Sequence, residues 1–312
     1  MDNKRKAFLI MFVLRCIPLI VRRAFFRFLF FLYYLVFTKH RLITLNNLSK
    51  SFPEKSLREI KRIARSAYAN LAITAAEFFD TPFMSKAEFC QKVTMEGQEH
   101  YNEALNGNKG ILFLSSHFGN WELQAGLSSS YINGFGIIYR RLDNQLLEEI
   151  TLFARMSHGS WLIPKGRAGQ AIRKHLLNNE AVGLTLDQNI SVEQGVFVDF
   201  FGRPACTAVS LAAFALQTGA PVLPVFMARQ KDGRYKFIIK PAVPIEKTGN
   251  YQEDLRINTQ RFVKATEEVF REYPEQWFWM HQRWKTKKCQ LSNSLSVPIK
   301  AAEDRGLKEF SR

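Results

Sequence analysis

The sequence predicts an α/β fold: a mainly parallel central sheet flanked by helices, preceded by an N-terminal membrane-associated helical segment. Three observations predict it. From about Met95 to Thr286, short apolar runs alternate with helix-like stretches, as strands joined by crossover helices require. Before that, apolar residues recur at three- and four-residue spacing from Ser56 to Phe79, the period of one long helix. The first 50 residues, finally, set ten basic residues and a single acid, Asp2, in and around a phenylalanine-rich apolar run. The expected organisation is a basic, apolar segment over 1–45, a helical packing region over 46–94, an α/β domain over 95–286 and a polar tail over 287–312.

Within Ala7–Phe37 the apolar run is cut by Arg15, Arg22, Arg23 and Arg27. An arginine at the bilayer centre costs roughly 2.5–3.5 kcal/mol, so four of them argue against a simple span. A helix or helix pair lying in the interface fits better, with Phe and Leu entering the acyl region while arginines snorkel to lipid phosphates. Two other readings are a buried helical hairpin of the main core and a cleaved signal peptide. The second of these meets no small-residue cleavage site after Pro18. A composition 46% hydrophobic and 23% charged is that of a folded core and speaks against a disordered chain. The four cysteines, Cys16, Cys90, Cys206 and Cys289, form no C-x-x-C pair, which speaks against a disulfide-stapled module and a structural zinc site.

The net charge of +16 predicts an anionic partner. Its distribution narrows the choice, because +9 lies in the first 50 residues beside the apolar run. A membrane face needs that combination and nucleic acid does not, so a nucleic-acid binder is the minor reading.

The elements follow in order. Leu57, Ile60, Ile63, Ala64, Ala67 and Leu71 mark the packing face of the first long helix, with Lys61, Arg62 and Arg65 between them and Pro82 ending it. Strands are expected at Gly110–Ser115, Phe135–Tyr139, Ala181–Leu186, Val196–Phe201, Val222–Ala228 and Tyr235–Pro241. Helices are expected at Trp121–Ser129, Gln145–Met156, Gln170–Asn178, Ala208–Thr218 and Glu253–Tyr273. In such a sheet, sites gather at the carboxyl ends of strands.

The chain has no P-loop, no dinucleotide fingerprint, no H-E-x-x-H and no G-x-S-x-G elbow, which removes the commonest nucleotide, zinc-protease and serine-hydrolase readings. The candidate chemistry is Ser115-Ser-His117-Phe-Gly-Asn120-Trp-Glu122, an H-x4-E pattern directly after the strand Ile111–Leu114. Histidine suits proton transfer near neutral pH, and a carboxylate on its other ring nitrogen fixes the tautomer. Five residues turn an unbroken helix by about 500°, so the pair needs His117 on a loop and Glu122 in a first helical turn. Gly119-Asn120 supplies the junction, with Asn120 as N-cap. A second pair at this spacing, His175 and Glu180, lies in a helix-like stretch without strand or glycine turn and reads as a solvated helix end. Arg140, Arg141, Arg155, Lys165 and Arg167, with Asp187, sit on elements near strand ends and together form a basic rim with one acid, suited to an anionic substrate.

Several stretches, in order along the chain, resemble the late acyltransferases of lipid A biosynthesis. They are His117-Phe-Gly-Asn-Trp-Glu122, Tyr139-Arg140 with Asp143-Asn144, Arg155-Met-Ser-His-Gly159, Ile163-Pro-Lys165, Asp187-Gln188, the run from Gly195 to Thr207, and Trp277-Phe-Trp-Met-His-Gln-Arg-Trp-Lys-Thr286. Arg141 departs from the family, where many members have proline, and Asn189 stands where an acid is frequent. Both departures bear on the acceptor more than on the chemistry.

The resemblance implies transfer of a fatty acyl chain from acyl–acyl carrier protein to a hydroxyl of a lipid A precursor, at the inner membrane with the site facing the cytoplasm. It implies His117 as general base oriented by Glu122, with Asn120, Arg140, Arg155, Lys165 and Asp187 positioning substrate groups. No acyl-enzyme, metal or nucleotide cofactor is implied. A phosphatidylinositol mannoside is the other acceptor within this class.

Overall fold

The computed structural model describes residues 2–127, 131–132, 134–165 and 168–287; the expected tail lies outside them from residue 288. The amino terminus forms three helices, α1 (Asn3–Cys16), α2 (Leu19–Val36) and α3 (Thr38–Ser51). Pro18 separates the first two as the N-cap of α2, where its missing N–H costs nothing. Then comes α4 (Leu57–Phe78), opened by a capping box in which Ser56 and Glu59 bond reciprocally. Among the described residues no helix is long and apolar enough to cross a membrane.

The segment is not a buried hairpin, and only two of its four arginines, Arg22 and Arg23, depart from the expected lipid-facing arrangement. One face of α2 packs on α4, burying Arg22 and Tyr34, while Phe25, Phe28, Phe31, Leu32 and Leu35 stay exposed. Two of the four arginines turn inward. Arg22 donates to the Ala76 carbonyl at 2.7 Å and pairs with Asp80, and Arg23 pairs with Glu77. Arg15 lies 5.1 Å from the Phe83 ring, and Arg27 is exposed. The guanidiniums go where fixed carboxylates await them, Glu77 on α4 and Asp80 just after it, because a desolvated ion pair needs both charges and satisfied hydrogen bonds.

After α4 the chain runs through α5 (Lys86–Lys92), β1 (Val93–Glu96), α6 (Gln98–Asn106), β2 (Ile111–Ser115), a 3-10 turn (Trp121–Gly126) and β3 (Phe135–Tyr139). It continues with α7 (Gln145–Met156), β4 (Trp161–Pro164), α8 (Ala168–Leu177), β5 (Ala181–Thr185), β6 (Gly195–Phe200), β7 (Arg203–Ala208), α9 (Ser210–Thr218), β8 (Val222–Arg229), β9 (Tyr235–Ile239) and α10 (Tyr251–Glu272). Seven strands make one sheet in the order β1-β9-β8-β2-β5-β3-β4, parallel except where β9 turns back on β8. Central β2 is buried on both faces. Ile111 and Phe113 enter one apolar layer with Phe89, Tyr101 and Leu123, and Leu112 and Leu114 enter the other with Ile172, Leu211 and Phe262.

Two expectations change. The Val196–Phe201 run is β6, which leaves the main sheet and pairs only with β7 as an antiparallel hairpin. Its Phe200 packs on Phe270 of α10 and on Trp277, in a third apolar cluster shared with α3 and α4. The helix expected at Trp121–Ser129 is a 3-10 turn over its described part, Trp121–Gly126; residues 128–130 lie outside the described residues.

Candidate active site

Parallel pairing of β2 with β5 sets Ser115 opposite Thr185. The residues two steps beyond each, His117 and Asp187, leave the sheet at the same edge and meet. The His117 backbone N–H donates to Asp187 Oδ2 at 2.9 Å, and its ring Nδ1 lies 3.0 Å from Oδ1. The Trp277 indole N–H donates to the same Oδ2 at 3.0 Å. Asp187 is buried, and burial alone would raise its pKa. The His117 ring and the three hydrogen bonds outweigh that and hold the carboxyl at about 2. For His117, burial opposes the charged form, yet the Asp187 charge and hydrogen bond raise its pKa above the ordinary imidazole value. With Nδ1 engaged, Nε2 is the nitrogen left toward the open side, where the Gln188 amide stands 3.4 Å away and the side chain is 26% exposed.

Glu122 does not hold His117. Its carboxylate takes a bidentate fork from Arg155, at 2.8 Å from Nε and 2.6 Å from Nη2, and accepts the Trp121 indole N–H at 3.0 Å. Burial would raise its pKa, but Arg155 brings it below the usual carboxylate range. The expectation that Glu122 orients the imidazole is therefore corrected: Asp187, expected to position substrate, makes that bond. A two-point guanidinium partner on α7 captures the nearby carboxylate, as bidentate geometry favours. The His175–Glu180 pair, by contrast, does bond directly at 2.7 Å, half-buried with the ring stacked on Trp161.

The loop from Phe118 to Asn120 is clamped from both sides. Gly119 adopts φ +59°, and a Cβ there would fall 1.8 Å from the Met227 carbonyl oxygen, so only glycine fits. Thr74 of α4 donates to the Gly119 carbonyl, and the Gly119 N–H donates to the Gln276 carbonyl. Asn120 caps the 3-10 turn as expected, its side-chain oxygen accepting from the Leu123 N–H. Its amide also donates to Glu77 Oε2 at 3.0 Å, which ties it to α4 and leaves it 1% exposed.

Glu77 is a functional candidate that sequence reasoning missed. Burial would raise its pKa, but Arg229, Lys92, Tyr235 and Arg23 bring it below the ordinary range. One buried carboxylate thus joins α2, α4, α5, β8, β9 and the His117 loop. Glu77→Ala is expected to destabilise the protein by about 3–5 kcal/mol in a denaturant titration, because it leaves cations buried without their partner. Glu77→Gln should cost less.

The outer rim is spread more widely. Arg140 is 82% exposed and 3.8 Å from Asp143, and Lys165 is exposed at the end of β4. With strands about 4.8 Å apart, β3 and β4 place them roughly 10 and 14 Å across the sheet from β2. They flank the His117 region without joining it; Arg167 lies outside the described residues. Beside His117, a pocket of about 810 Å³ is walled by Leu29, Phe30 and Tyr33 of α2 and by Phe278 and Met280, with Asn189 and Lys285 among its polar lining. The Phe278 ring lies 6.5 Å from the His117 ring.

Comparison with known proteins gives a consistent picture. The family model described as bacterial lipid A biosynthesis acyltransferase matches residues 7–286. The chain is 27% identical over 258 residues to the lipid A biosynthesis lauroyltransferase of Escherichia coli (strain K12), covering 80% of this chain and 81% of that one. It is 26% identical over 247 residues to the lipid A biosynthesis palmitoleoyltransferase of the same organism, covering 78% of each. A phosphatidylinositol mannoside acyltransferase of Mycobacterium tuberculosis (strain CDC 1551 / Oshkosh) is 26% identical over 215 residues, 67% of this chain and 66% of that one.

Proposed function

The chain belongs to the bacterial lipid A biosynthesis acyltransferase family and is an acyltransferase; within that activity, we propose that it moves a fatty acyl chain from an acyl–acyl carrier protein thioester to a hydroxyl of a lipid A precursor, with His117 as general base. The observation that carries this is the Asp187–His117 pair, which engages Nδ1 and leaves Nε2 facing outward beside the pocket, free to act as the base when the imidazole is neutral. Nε2 takes the acceptor hydroxyl's proton as the oxygen attacks the thioester carbonyl. The tetrahedral oxyanion then collapses, the carbon–sulfur bond breaks, and the imidazolium returns its proton to the leaving thiolate. The products are one ester and one free carrier thiol, and no acyl-enzyme forms. Arg155, fixed by Glu122, supplies a positive charge beside the reacting centre, and Asp187 and Trp277 hold the base in place.

The pocket between α2 and the Phe278–Lys285 segment receives the acyl chain, its size falling within the range of small-molecule sites. Met280→Trp should favour shorter donors. Each methylene it displaces would change relative kcat/KM by about 0.8 kcal/mol, roughly fourfold, in competition between donors of different length. The exposed phenylalanines and leucines of α1 and α2 lie in the membrane interface, so that a lipid acceptor enters from the side of this pocket. Since carrier thioesters are made inside the cell, the site faces the cytoplasm at the inner membrane. The mannoside relatives make phosphatidylinositol mannoside the second acceptor. Mass spectrometry of lipid extracts with and without the gene separates the two.

A further inference from the structure

The basic residues of α4 take no part in the reaction described above. Arg58, Lys61, Arg62 and Arg65 are all exposed. At 3.6 residues per turn they fall within an arc of about 100°, on the side opposite the buried Ile60, Ile63, Ala67 and Leu71. Among the described residues none of the four lies within ion-pair distance of a carboxylate. The neighbouring acid on α4, Glu59, is held by Ser56 in the capping box. Arg62 acts on Glu59 through space, but four cations beside that one acid still leave an excess of positive charge on the face, and an acidic partner relieves the repulsion.

A membrane is a poorer match than a protein. Interfacial helices set cations beside insertable apolar residues, and α1 and α2 do so, whereas Leu57 is the one large apolar side chain exposed among the described residues of α4. The face is also joined to the site: Thr74, on the same helix, donates to the Gly119 carbonyl at 3.1 Å. At 1.5 Å per residue, Arg65 and Arg58 lie roughly 14 and 24 Å from Thr74 along the helix axis, a span suited to a donor that presents its thioester on an extended arm.

We propose that the Arg58–Lys61–Arg62–Arg65 face of α4 is the docking surface for an acidic carrier protein that delivers the acyl thioester. This rests on the reading that the donor is a carrier-protein thioester. The test uses the full chain in detergent with two donors, acyl–acyl carrier protein and an acyl-pantetheine thioester lacking the protein. In the Arg58→Glu/Lys61→Glu/Arg62→Glu/Arg65→Glu variant, and in Lys61→Glu/Arg62→Glu should the fourfold change impair folding, kcat/KM for the carrier-bound donor should fall at least ~10-fold through KM. Turnover of the small thioester should stay within about twofold, and added salt should narrow the gap between variant and wild type. Unchanged kinetics with the carrier-bound donor would overturn the proposal, as would an equal loss with both donors. Weakened binding to anionic vesicles at an unchanged donor KM would assign the face to the membrane instead. A wild-type protein that uses the small thioester and not the carrier-bound one would overturn the donor reading itself, a result distinct from the others.

Discussion

Replacing His117 with alanine is expected to lower kcat for acyl transfer by roughly 10²- to 10⁴-fold, the usual contribution of a positioned general base. The fold should survive. The His117 side chain is partly exposed, and the loop is held by backbone bonds from Gly119 to Gln276 and from Thr74 to Gly119. An unfolding midpoint close to wild type, together with the lost turnover, would assign the effect to chemistry. A folded variant that keeps full activity would remove His117 from the reaction.

The second large effect is expected of Asp187→Asn. The carboxylate fixes the imidazole with Nδ1–H inward and raises its pKa, and the amide does neither as well. A drop of roughly 10²- to 10⁴-fold in kcat should follow from lost orientation and lost stabilisation of the imidazolium. The pH dependence distinguishes this from general damage. The base works when neutral, so activity falls as pH drops through the His117 pKa, which the Asp187 charge sets above the ordinary value. Without that charge the pKa falls, and the acid limb of kcat/KM should move to lower pH even as the maximum declines. Glu77→Ala, which acts on the loop through Asn120, should leave the position of that limb where it is.

These two expectations show how far the sequence could be read. The strand–loop–glycine context around His117 was legible, since a buried apolar run followed by a glycine turn marks a site at a strand end. The identity of its carboxylate was not. Five-residue spacing drew attention to Glu122, but spacing along the chain carries little information once the pair straddles a loop. The useful signal was register: Ser115 opposite Thr185 in a parallel ladder brings His117 to Asp187 across 70 residues. His175 and Glu180 make the same point from the other side, bonding directly at the spacing that fails at His117.

The strands the sequence missed are short or polar. Val93-Thr-Met-Glu96 and Trp161-Leu-Ile-Pro164 have four residues each, too few to show a period, and Arg203–Ala208 carries arginine, proline and threonine because it forms a hairpin off the main sheet. Glu77 was hidden because it lies among alanines and phenylalanines near the end of a long helix, where a lone acid reads as surface. Its cations come from Arg23, Lys92 and Arg229, a grouping only the tertiary fold reveals. Arg22 and Arg23 misled in the same way. A basic residue in an apolar run predicts a polar partner, and for these two the partner is a carboxylate, Asp80 or Glu77, rather than a lipid phosphate.

Acyl transfer to lipid A is measured by incubating the purified full chain with acyl–acyl carrier protein and a tetraacylated, Kdo-bearing lipid A precursor, and weighing the lipid product by mass spectrometry. The expected product is heavier by one acyl chain in ester linkage. An unchanged precursor, under conditions in which the same preparation acylates a phosphatidylinositol mannoside, would remove lipid A as the acceptor.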